Sequence, residues 1–104
     1  MRFSKELADF RTMIQQRGAH LRQLSFEELK LQGDQDTERV QVGRRAGTIA
    51  IIVLPLPSGG VQTVVQGFLK HRFMPGWSVA LDGFYKYPDE TIAPMTKEEF
   101  WDFD

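Results

Sequence analysis

The sequence predicts an α+β domain, and three features predict it. Apolar residues recur at helical spacing near the start, β-branched runs with short breaks fill the middle, and helix-start signatures stand at Ser25 and Thr96. The expected architecture is an antiparallel meander of four to five strands. An amphipathic N-terminal helix packs on one face, and short helices lie near Ser25 and at the C-terminus. A chain of 104 residues with 41% hydrophobic and 26% charged side chains fits a single globular domain over 1–104.

The first helix is read from Phe3, Leu7, Phe10 and Ile14, spaced four, three and four apart. Ser4 is the expected N-cap, and Gly18 sets the expected end after Arg17. In Leu24-Ser25-Phe26-Glu27-Glu28-Leu29, Ser25 and Glu28 have capping-box spacing, and Gly33 and Asp34 end the helix soon after. Thr96 and Glu99 repeat the box before Phe100, Trp101 and Phe103.

The strands are read from alternation and from breaks. Arg39–Val42 alternates, Arg44–Gly47 turns, and Thr48–Leu54 is β-branched until Pro57–Gly60 breaks it. A long strand from Val61 to Phe73 precedes the Pro75-Gly76 turn. Ser78–Leu81 follows, Asp82-Gly83 reads as a bulge or a hairpin turn, and Phe84–Tyr87 and Thr91–Pro94 close the series. To bury Val61, Val65, Leu69 and Phe73 beside Trp77, Val79, Leu81 and Tyr85, Leu69 must oppose Leu81, with about three residues in the loop. The strand Thr48–Leu54 is apolar on both faces, which calls for cover on both. The N-terminal helix covers one side; the C-terminal segment or a second chain covers the other.

Composition excludes several classes of function. There is no cysteine, hence no disulfide framework, thiolate metal site or cysteine nucleophile. The net charge of -1 gives no whole-molecule attraction for polyanions. No signal-like N-terminal run is present, and the longest apolar run, Ile49–Leu56, is far short of the roughly 20 residues that span a bilayer. A cytoplasmic location is expected, with no membrane partner.

Antiparallel pairing brings Arg44 and Arg45 to the same sheet end as Lys70 and Arg72, a candidate contact for phosphate or nucleic acid. The competing reading is a solvated basic strand end that discourages edge pairing. His71, Trp77, Tyr85 and Tyr87 form a candidate ligand groove among the late aromatics, although such a group is more often core and a clamp that holds a terminal helix down. The acidic, aromatic tail from Glu98 to Asp104 suits docking on a basic surface, either a partner's or this chain's own. Val64, Phe68, Ala80 and Phe84 are expected on one outer face as a self-association surface. No nucleophile elbow, phosphate loop or metal-ligand spacing is present, so no catalytic residue, cofactor or metal is expected. The functional expectation is a non-catalytic interaction or regulatory module that forms a homodimer or meets another protein. A small phosphate or nucleic-acid binder and a ligand-binding domain or enzyme are the alternatives.

Overall fold

A computed structural model describes residues 4–33 and 35–103; the readings at Phe3, Asp34 and Asp104 lie outside them. Helix α1 (Lys5–Gln23) is followed by α2 (Phe26–Gln32) and by strands β1 (Gln35–Val42), β2 (Arg45–Pro55), β3 (Val61–Lys70), β4 (Trp77–Lys86) and β5 (Ile92–Pro94). Helix α3 (Lys97–Phe100) and a 3-10 turn (Trp101–Phe103) are the last elements among the described residues. The strands form one antiparallel meander in sequence order.

Each helix starts where its cap stands. The Ser4 hydroxyl accepts from Leu7 N–H at 3.0 Å, and both capping boxes close reciprocally, Ser25 with Glu28 and Thr96 with Glu99. Helix α1, however, does not stop at Arg17. It runs through Gly18 to Gln23, because Gly18 faces the sheet and Leu21 extends the buried stripe.

The core lies between α1 and the inner face of the sheet. Phe10, Ile14 and Leu21 meet Ile49, Val65, Leu69, Ala80 and Phe84. Gly67 is part of this fit: a Cβ there would stand 2.6 Å from Ile14 Cδ1 and 2.7 Å from Phe10 Cζ. Helix α2 adds Phe26 and Leu29 beside Val53 and Val61.

Several sequence readings are corrected. The first hairpin turns at Gly43-Arg44, so β2 already begins at Arg45. Strand β3 ends at Lys70, and His71–Gly76 forms a six-residue loop closed by His71 N–H on the Gly76 carbonyl at 3.0 Å. Leu69 opposes Ser78, Gly67 opposes Ala80 and Val65 opposes Asp82. This register differs by three residues from the expected one, and an odd shift exchanges the faces of β4. Ala80, Asp82, Phe84 and Lys86 therefore face inward, while Trp77, Val79, Leu81 and Tyr85 face outward. Asp82-Gly83 is neither a bulge nor a turn; β4 pairs continuously through it.

Two ion pairs make this register tolerable by satisfying the charges it buries. Arg22 forks onto Asp82 at 2.7 and 3.0 Å, and Gly18 leaves room for the carboxylate. Lys86, buried, reaches Glu90 at 3.3 Å. Glu90 has φ 72° and also accepts from Phe26 N–H at 3.1 Å, so the β4–β5 turn clamps the start of α2.

On the outer face the described residues give only partial cover. After β5, segment 95–103 lies over β4 and β3, where the Gln66 side chain donates to the Phe103 carbonyl and Gln62 reaches Met95 Sδ at 3.9 Å. Val64 is 0% exposed beneath this cover. Thr48, Ala50 and Ile52 of β2 stay half-exposed.

Candidate functional site

The basic residues come to one end of the sheet. The turn after β1 delivers Arg44, β2 starts with Arg45, and the end of β3 returns beside them with Lys70. One cleft of about 250 Å³ is lined by Arg44, Arg45, Ala46, Lys70, His71 and Arg72. Their roles differ. Arg45 is only 8% exposed, and donates from Nε to the Lys70 carbonyl at 2.8 Å and from Nη1 to Ser4 Oγ at 3.1 Å. Arg72 lies beyond the strand, 4.0 Å from Glu6 and 4.9 Å from the centre of the Phe73 ring. Arg44 and Lys70 make no side-chain hydrogen bond or ion pair among the described residues.

His71 sits at the loop entrance. Its Nδ1 is 3.3 Å from the Pro75 carbonyl and its Nε2 is 3.1 Å from Ser78 Oγ. Only a protonated Nδ1 can donate to a carbonyl, and in the neutral ring Nε2 then accepts from the serine hydroxyl. The histidine thus fixes the loop that presents Phe73 and Met74 to solvent.

The aromatic groove expected from His71, Trp77, Tyr85 and Tyr87 is not assembled. Trp77 and Tyr85 lie at opposite ends of β4, eight residues and about 26 Å apart at the usual strand rise. Tyr85 bonds to Gln62, and the Tyr87 ring lies against Gly60. His71 and Trp77 remain together at the other end.

The expected self-association residues divide between two faces. Ala80 and Phe84 are buried under α1, and Val64 is buried under the C-terminal segment. Phe68 keeps its place on the outer face, opposite Thr48 and Val79. With Thr48 and Trp77 it lines an apolar depression of about 360 Å³. Sequence reading missed Trp77 as a member of this surface because the three-residue error in register turned it inward.

Among the described residues no group of three or more His, Asp or Glu side chains is placed to hold a metal ion, and no helix is long and apolar enough to cross a membrane. No protein family, curated protein or solved structure matches the chain.

Proposed function

We propose that the protein is a non-catalytic interaction module that self-associates through the outer face of its sheet, over β2 and the Phe68–Trp77 corner. The observation that supports this reading is incomplete cover. Thr48, Ala50, Ile52 and Phe68 are half-exposed, Trp77 is 49% exposed, and the C-terminal segment lies over β3 and β4 instead.

A second copy is the occupant that best suits this surface. From Ala46 to Leu69 the chain has no charged residue, so two such patches can meet about a two-fold axis without stranding a charge. Arg39 and Gln41 of β1 and Lys70 of β3 form a polar rim around the apolar centre, the usual anatomy of an interface.

The test is substitution at the centre of the patch. Ala50→Lys and, separately, Phe68→Ser are expected to give folded monomers by light scattering at concentrations where the unmodified protein is a dimer. Dimers that persist in both variants would place the contact elsewhere. Val64 is unsuitable for this purpose, since a charge there would disrupt the chain's own C-terminal cover.

A further inference from the structure

Arg45 is a buried cation that meets no carboxylate directly among the described residues: both of its hydrogen-bond acceptors, the Lys70 carbonyl and the Ser4 hydroxyl, are neutral, and that hydroxyl donates in turn to Glu6 Oε2 at 3.3 Å. Buried charges are ordinarily paired, because neutral acceptors only partly replace lost hydration. Around it stand Arg44 and Lys70, with no partner of their own among the described residues, and Arg72, whose carboxylate neighbour Glu6 lies at 4.0 Å. Arg44, Arg45, Lys70 and Arg72 line one cleft at this end of the sheet, and the Glu6 carboxylate stands 4.0 Å from Arg72 at its margin.

A second depression of about 220 Å³ adjoins the first. It shares Arg45, His71 and Arg72 and adds Phe73 and Met74, which are 89% and 66% exposed. The Phe73 ring is steadied by the Arg72 guanidinium 4.9 Å from its centre, and the loop is steadied by His71. A basic cleft beside an accessible aromatic ring is the arrangement that seats a phosphate and stacks a base.

We infer that this end of the sheet binds a nucleotide unit, with its phosphate in the Arg44–Arg45–Lys70–Arg72 cleft and its base against Phe73 and Met74. The unit is either a free nucleotide or one residue of a single strand. Exposed Phe73 and Met74 would also suit a lipid surface, but a flat headgroup layer does not reach Arg45, which is recessed in a cleft.

The 104-residue chain is titrated at about 20 mM salt, where screening is weak, with four probes. These are inorganic phosphate, adenosine monophosphate, a labelled oligouridylate of about ten nucleotides, and phosphatidylserine vesicles. The nucleotide, the oligonucleotide or both are expected to bind. Binding of the mononucleotide alone identifies a free nucleotide, and tighter binding of the oligonucleotide identifies a strand. Arg44→Gln combined with Lys70→Gln is expected to weaken binding at least about tenfold. For the oligonucleotide it should also reduce the salt slope by roughly 1.4, about 0.7 per lost contact on a single strand. Phe73→Ser is expected to weaken nucleotide binding and to leave inorganic phosphate unaffected. Failure of both nucleotide probes, retention of affinity in the Arg44/Lys70 variant, or indifference of nucleotide binding to Phe73→Ser would each overturn the inference. So would binding to vesicles without binding to nucleotides. All three substituted side chains are exposed, so loss of fold does not confuse the result.

Discussion

At Gly18 the helix gives up a side chain so that Asp82 can reach Arg22. A Cβ there would lie 1.8 Å from Asp82 Oδ2 and 2.9 Å from Arg22 Nη1. Alanine in place of glycine inside a helix ordinarily stabilises by about 1 kcal/mol. Here Gly18→Ala is expected to destabilise by about 1–3 kcal/mol, because it forces apart a carboxylate that is also held by Gly83 N–H at 2.9 Å. In an Asp82→Ala background the same change should be neutral or stabilising. A stabilising Gly18→Ala in the unmodified protein, read from chemical denaturation, would remove this explanation of the glycine. The guanidinium of Arg22 is correspondingly held above its ordinary pKa, chiefly by its hydrogen bonds to Asp82. None of this is legible in sequence, since Arg22 and Asp82 are 60 residues apart and glycine in a helix pattern reads first as an end.

The elements divide by how local their causes are. Both capping boxes could be read directly, because cap and partner are three residues apart and need nothing else from the fold. The register of β3 against β4 could not. Trp77 and Tyr85 are large and apolar, so they read as core, while the residues that do face inward include Asp82 and Lys86. Their charges are satisfied by Arg22 and Glu90, from α1 and the β4–β5 turn, and no alternation pattern announces such partners. Three carboxylates, one of them in a cap, also carry a pH dependence. Glu28 is held below the usual carboxylate range by the Ser25 N–H and hydroxyl, Glu38 by Arg17, and Asp89 by Thr91. A depressed folded pKa contributes stability that is complete above the unfolded value, about 4 for a carboxylate, and is lost as pH falls through the folded value. Melting temperature should therefore drop as pH falls from about 5 to about 2.5. Glu28→Gln, which keeps the acceptor oxygen but not the titration, should shrink that drop. An equally large drop in the variant would show that the Ser25 cap does not contribute to it.

The whole molecule is a sheet with one face sealed and one face half sealed. The sealed face was largely legible: Phe10, Ile14, Val61, Val65 and Leu69 stand where their spacing put them. The basic end was legible as well, since antiparallel pairing alone brings Arg44 and Arg45 to Lys70. The burial of Arg45 and the tie from Arg72 to Glu6 were not, because both depend on where α1 begins. The outer face was legible as a shortage of cover but not in its outline, which follows from the path of the C-terminal segment. That outline is the basis of the self-association proposed for this protein, and the mass in solution tests it most directly. Sedimentation at tens of micromolar should give twice the 12.0 kDa of the chain, with dissociation on dilution. A single species at the chain mass throughout that range would contradict it, and would mean that the half-exposed face of β2 needs no second copy.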